Sequence, residues 1–180
     1  SADSLQINAT DFYNQGLLFS SADMSLYSDN LINRYGDIYS LGHLLIAKNA
    51  VGEQAGLLEN RSGSIESGAD MSLRAVLLSN RKERFVLGQE QTSGSISMIC
   101  LDCSGDHFNV DFVATEVFGL MVNADSAAAR IHSGGDLSIQ AAAVSNHYSS
   151  LSAAAALNIS SNTLENLGAD AGVIEHRLRV

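Results

Sequence analysis

At 180 residues, 46% of them hydrophobic, the chain can bury a sizeable core, most economically as one domain over 1–180. Ten basic against 20 acidic side chains give a formal net charge of −10, which excludes the clustered basic surface that nucleic acid requires. No apolar run approaches the roughly 18 residues of a membrane-spanning helix, and Ser1 opens on patterned sequence without a basic and apolar leader, so neither a span nor a signal peptide is expected.

The first unit sets the frame: Leu5 and Ile7 stand nine and seven residues ahead of Asn14. Met24 and Leu26 hold the same offsets before Asn33, and Met71 and Leu73 before Asn80. Between them, the unit ending at Asn60 has its apolar block, Leu44 to Ile46, displaced by seven residues, as a small insertion within 47–57 would produce. The run NRKERF, Asn80 to Phe85, reads as a solvated turn, since charge blocks this short usually are.

Residues 81–132 break the pattern. SISMIC (Ser95 to Cys100) and FNVDFV (Phe108 to Val113) alternate apolar with polar, and LDCSGDH joins them. A β-hairpin leaving the repeat is the simplest account, irregular coils within the stack fit nearly as well, and Asp125 to Ser133 has room for one helical turn. Regularity resumes over 133–180, with Leu137 and Ile139 before Asn146, and Leu157 and Ile159 before Asn166.

Consecutive frame asparagines (Asn14, Asn33, Asn60, Asn80, Asn146, Asn166) lie 19, 27, 20, 66 and 20 residues apart. Inside each unit the apolar spacing is two, which puts alternate side chains into a core along a strand. Units of about 20 residues cannot bury that face alone, but stacked coils can. The expected fold is therefore all-β: a right-handed parallel β-helix of about eight or nine such coils. A β-sandwich has no reason to repeat the Asn offsets. The absence of Pro agrees, because each strand N–H is needed by the next coil. The six asparagines are expected to stack at one corner, with Gly16, Gly36, Gly63 and Gly168 just after it supplying turn conformations closed to other residues. Asp23, Asp70 and Asp136, one per coil, lack the density of a calcium site and read as turn-closing residues.

The segments LINRYGDIYSLGHLLI, LLENRSGSIESGADMSL and GGDLSIQAAAVSNHYSSLSA resemble the filamentous haemagglutinin repeats of large exoproteins secreted by two-partner systems in Gram-negative bacteria. SNRKERF, SGSISMICLDCSGDHFNVDFVATEVF and DSAAARIHSGGDLSI are similar to a segment of contact-dependent growth inhibition effectors and of haemagglutinin-like or haemolysin-like adhesins. The resemblance implies a slice of a long filament, exported by an outer-membrane transporter and held on the outer surface of the bacterium. It further implies a stalk that displays a toxic or adhesive activity carried elsewhere, with a receptor on a neighbouring bacterial or host cell as a partner. The excised segment itself is expected to be monomeric.

Cys100 and Cys103 are the only cysteines. In an exported protein they suit a disulfide; a reduced structural pair and a metal site completed by Asp106, His107 or His132 are the other readings. Redox chemistry of the thioredoxin type lacks its βαβ setting, and nothing marks an oxyanion hole or an orienting acid beside Cys103 and His107. No catalytic, cofactor or metal residue is assigned. If the segment recognises a partner, the irregular part is the place, with Asp102, Asp106, His107 and Phe108 as candidates. The rival reading is a β-helical carbohydrate-active enzyme or carbohydrate-binding module, which needs paired carboxylates in a groove.

Overall fold

The computed structural model describes residues 4–169 and 172–180, and Ser1 lies outside them. Every element among the described residues is a strand. The chain advances in coils of three. β1 (Ser4–Asn8), β2 (Asp11–Asn14) and β3 (Leu17–Ser20) make the first; β4 (Asp23–Tyr27), β5 (Asn30–Arg34) and β6 (Asp37–Ser40) the second; β7 (Leu44–Ala47), β8 (Ala55–Arg61) and β9 (Ser64–Ser67) the third. In the fourth, β10 (Met71–Arg81) fuses the first two strands. Two long strands then intervene, β11 (Phe85–Asp102) and β12 (Asn109–Asp125), before β13 (Arg130–Ser133) completes the coil. β14 (Leu137–His147) and β15 (Ser150–Ala153) form the fifth, and β16 (Leu157–Ser160) and β17 (Thr163–Leu167) begin the sixth. β18 (Val173–Arg179) leaves the stack.

All pairing within the coils is parallel and in register, so equivalent residues form columns. Phe12, Leu31, Leu58, Leu78, Val144 and Leu164 make one column. Leu18, Ile38, Ile65, Ile131 and Leu151 make another. Inner members such as Leu31, Ile38, Leu58, Ile65 and Ile131 are fully buried, each contributing about 1.5–3 kcal/mol relative to exposure. The parallel β-helix read from the two-residue alternation is the observed fold.

Several expectations change. The hairpin expected within 81–132 is present as β11 and β12, and because it takes up most of the 66-residue interval the described residues make six coils, the last incomplete, where eight or nine were expected. Asp125 to Ser133 contains no helical turn: the chain runs extended into β13. The described residues fall into two compact units, 4–84 with 126–168, and 85–125 with 169 and 172–180. Regular coils therefore stop near Gly168 instead of running to residue 180. The insertion that displaces the apolar block of the third coil is a turn between β7 and β8, closed by Lys48 N–H donating to the Glu53 carbonyl at 2.8 Å.

The corner chemistry differs from expectation in one respect. Each Asn donates its Nδ2 to the Oδ1 of the next: 2.8 Å from Asn14 to Asn33, 2.9 Å to Asn60, 2.9 Å to Asn80, 2.8 Å to Asn146 and 2.7 Å to Asn166. The left-handed residues of this corner, however, are Tyr35, Ser62 and Tyr148, with φ of 55°, 49° and 52°, and the neighbouring glycines have ordinary φ. Glycine is needed for space. A Cβ on Gly63 would lie 2.5 Å from Asn33 Nδ2, 2.7 Å from the Gly36 carbonyl and 2.9 Å from Asn60 Oδ1. Gly36 is enclosed in the same way by Asn14 and Asn33.

A second corner is built on serine. Ser20, Ser40, Ser67 and Ser133 follow the buried aliphatics of β3, β6, β9 and β13, and each hydroxyl donates to a turn carbonyl. Beside it, Asp23, Asp70 and Asp136 accept the N–H of His43, Asp136 and Ala156 in the following coil, at 2.8–2.9 Å. They bind coil to coil, where a bond within their own turn was expected.

Candidate recognition site

Within the coils, charge is tied up structurally. Arg34, Arg61 and Arg81 share one register column, and Glu59, its side chain only 8% exposed, accepts from Arg61 Nη2 at 2.6 Å and Arg81 Nε at 3.0 Å. Burial works to raise the Glu59 pKa, but the hydrogen bonds from Arg61 and Arg81 outweigh it and hold the carboxyl below its ordinary value. Glu83 pairs with Arg34 at 2.8 Å. The NRKERF run thus feeds Arg81 and Glu83 into an ion-pair cluster and is not merely a solvated turn. The signal for it was present, since Arg follows the frame Asn in three successive units.

The hairpin leaves from a clasped neck. Arg84 N–H donates to Ser126 Oγ at 2.9 Å, Ser126 N–H donates to the Arg84 carbonyl at 2.9 Å, and Ser62 Oγ lies 2.8 Å from Ser126 Oγ. These bonds fix where one strand departs and the other returns. Asn80 and Asn146, 66 residues apart, are therefore adjacent rungs of one ladder.

The second unit is an antiparallel sheet in the order β11-β12-β18. Alternation over SISMIC and FNVDFV gives it two unlike faces. Register puts Ile96, Met98, Phe112 and Leu178 on one face, all exposed. Phe118 and His176 meet further along it in a tilted arrangement, their ring centroids 5.3 Å apart. The opposite face carries Ser95, Ser97, Thr115, Arg177 and Glu175, with Arg179 Nε donating to Asp111 Oδ2 at 2.6 Å.

At the tip, β11 passes into β12 through DCSGDH. Cys100 and Cys103 are joined by a disulfide with their Cα atoms 6.0 Å apart. Asp102 Oδ1 accepts the Ser104 hydroxyl at 2.8 Å and the Ser104 N–H at 3.2 Å, and the His107 N–H closes the turn on the Ser104 carbonyl at 3.1 Å. Gly105 sits at φ 64°, where a side chain is disfavoured. The Ser104 side-chain bond first, then its N–H, and to a smaller extent His107 hold the Asp102 carboxyl below its usual range. His107 lies between two carboxylates, Nδ1 3.4 Å from Asp102 Oδ2 and Nε2 3.7 Å from Asp106 Oδ1.

The tip therefore brings Asp102, Asp106, His107 and Phe108 onto one small surface, with Phe108 72% exposed. It does not bring His132, which lies on β13 with Nδ1 2.9 Å from Ser152 Oγ. With both sulfurs bonded to each other, neither cysteine is a thiolate ligand, and no group of three His, Cys, Asp or Glu side chains is arranged to hold a metal ion among the described residues. The tip presents two anionic side chains, an imidazole held between them, and an exposed ring. Sequence reading passed over the apolar face, because Leu178 enters it from residues expected to form another coil. Only a loss of the apolar frame signalled that departure: Arg177 and Arg179 stand at the offsets from Asn166 that Leu157 and Ile159 hold from Asn146.

Comparison with known proteins bears on the whole chain. The haemagglutinin repeat model matches residues 1–73, 44–97 and 119–176. Toxin CdiA of Escherichia coli is 26% identical over 194 residues, covering 93% of this chain and 6% of that protein. Deoxyribonuclease CdiA of Dickeya dadantii is 31% identical over 83 residues, covering 46% of this chain and 2% of that protein. The 16S rRNA endonuclease CdiA of Enterobacter cloacae is 33% identical over 79 residues, covering 43% and 2%. No solved structure matches the chain.

Proposed function

Because the chain belongs to the haemagglutinin-repeat family, we propose that it is a stalk segment of a secreted bacterial surface filament, extending and displaying an activity carried elsewhere in the polypeptide. It corresponds to 6% or less of the length of the relatives above, so their named activities are not transferred to these residues. On this reading the full chain leaves a Gram-negative cell through an outer-membrane transporter and remains on its surface. The coils supply length and rigidity. The hairpin tip supplies contact with a receptor on a target cell.

The observation that carries the second role is the break itself. Five asparagine-to-asparagine bonds continue unbroken past the hairpin, so the 41 residues from Phe85 to Asp125 are dispensable to the ladder. They nonetheless end in a covalently closed turn bearing Asp102, Asp106, His107 and Phe108. A stalk needs none of this.

The test is a cell-binding assay with full-length filament carrying Asp102→Ala, Asp106→Ala, His107→Ala and Phe108→Ala together. Surface display is measured in parallel by antibody against the coils. Loss of target-cell binding at unchanged display is the expected result; full binding would reduce the segment to a spacer.

A further inference from the structure

The second unit is a sheet with two very different edges. On the β18 side the edge strand reads VIEHRLR and carries Glu175, His176, Arg177 and Arg179, the kind of charge that blunts an edge against further pairing. On the other side, β11 pairs with β12 alone among the described residues. Its stretch Gln91 to Leu101 contains no ionisable side chain and no Pro, and every residue of it is exposed.

The backbone there is aimed outward. Phe112 exchanges both main-chain bonds with Val180, at 2.8 and 2.9 Å, so the Met98–Phe112 pair is of the wide type that carries none. The N–H and C=O of Met98, and by alternation those of Gly94, Ile96 and Cys100, therefore point to the open edge. Register irregularities fall between Gln91 and Ser93 and between Cys100 and Asp102, which leaves Ser93 to Cys100 as a regular stretch between two bulges, paired with β12 on one side and with no strand on the other among the described residues.

We propose that this edge is an interaction surface for a second copy of the same chain, through antiparallel pairing of β11 with β11 about a dyad at Ser97. Self-pairing at that position sets Ile96 against Met98 of the copy and Gly94 against Cys100, with the outward groups of each matched. It keeps Ile96, 77% exposed, and Met98, 52% exposed, on one face beside Phe112 and Leu178 of both copies. The stretch brings no charge into contact with itself, so the net charge of −10 is not concentrated at the seam. The sheet already grows in this manner at its other edge, where β12 accepts β18 in antiparallel register. A strand of about seven residues makes an interface in the small class, below about 1,200 Å² in total, so pairing between single chains is transient. Chains anchored side by side gain from effective concentration. This inference is independent of receptor binding at the tip, and it replaces the monomer expected from sequence.

Sedimentation velocity on the 180-residue protein over a wide concentration range, with its native disulfide intact, tests it together with cysteine mapping. The expected result is reversible dimerisation at high concentration, reduced at least tenfold by Ile96→Lys, with circular dichroism verifying that the variant is folded. Mild oxidation is expected to cross-link Ser97→Cys, which faces itself across the dyad, and not Ser95→Cys, which faces Ile99 of the copy. A protein that stays monomeric at every concentration, or equal cross-linking at both positions, overturns the proposal.

Discussion

Asn60 sits at the middle of the ladder and is the most informative residue to remove. It is fully buried, accepts from Asn33, and donates to Asn80 Oδ1 at 2.9 Å, to the Gly63 carbonyl at 3.0 Å and to the Arg130 carbonyl at 3.0 Å. In Asn60→Ala the Gly63 carbonyl still receives the Arg130 N–H, and Asn33 still reaches Gly36 and Ser64. The Asn80 oxygen and the Arg130 carbonyl each lose the amide donor. At about 1–2 kcal/mol for each acceptor left short, the substitution costs about 3 kcal/mol. For a chain of this size that lowers Tm by roughly 6–12 °C. Asn14, at the half-exposed first rung, provides the comparison: water replaces its partners, and Asn14→Ala costs less than about 1 kcal/mol. Urea unfolding followed by far-ultraviolet circular dichroism measures both. Equal losses would refute the argument that burial, and not mere membership of the repeat, gives the ladder its strength.

Gly63→Ala drives a methyl group into the Asn33 amide and the Gly36 carbonyl and is expected to lose about 2–3 kcal/mol, whereas Gly16→Ala, with nothing within 4 Å, is near neutral in the same urea titration. For Glu59 the folded carboxyl has the lower pKa, so its contribution is present above the ordinary carboxylate value and disappears as pH falls through the folded one. Glu59→Gln should therefore cost about 2 kcal/mol at pH 7. The gap from wild type should narrow as pH falls below the ordinary carboxylate range; a constant gap in urea midpoints throughout that acidification would contradict the assignment. Reducing Cys100–Cys103 removes a constraint worth about 2 kcal/mol on the loop-entropy model. Hydrogen exchange is expected to speed up over 100–108 and to stay unchanged at Asn33 and Asn60.

The coils were legible in the sequence because their rule is local and repeated. Leu26 and Leu73 hold the same offset from their Asn as Ile7 does, and each pair lands in one column. The glycine reading failed for a reason invisible at that level. Gly63 is required by the amide of Asn33, a neighbour only after the coils stack, whereas Tyr35 and Ser62 take the left-handed geometry unaided by composition. The tip residues were singled out by their departure from the pattern, and the structure gathers them. The partner of β12 was not foreseeable: VIEHRLR alternates as readily as any coil strand, and only long-range register decides that Val113 faces Arg179.

The neck at Arg84 and Ser126 has a consequence for the order in which the molecule forms. Elsewhere a strand meets its template after about one coil of chain, but β14 meets β10 only when the intervening 66 residues have been synthesised and their ends brought together. Closing that span is less favourable than a 20-residue step by about 1 kcal/mol of chain entropy. If coils are added one after another from the amino-terminal end, growth halts at Asn80 until Ser126 arrives. The hairpin is then a punctuation mark in assembly, a point at which growth waits for the chain to return before β14 forms on β10.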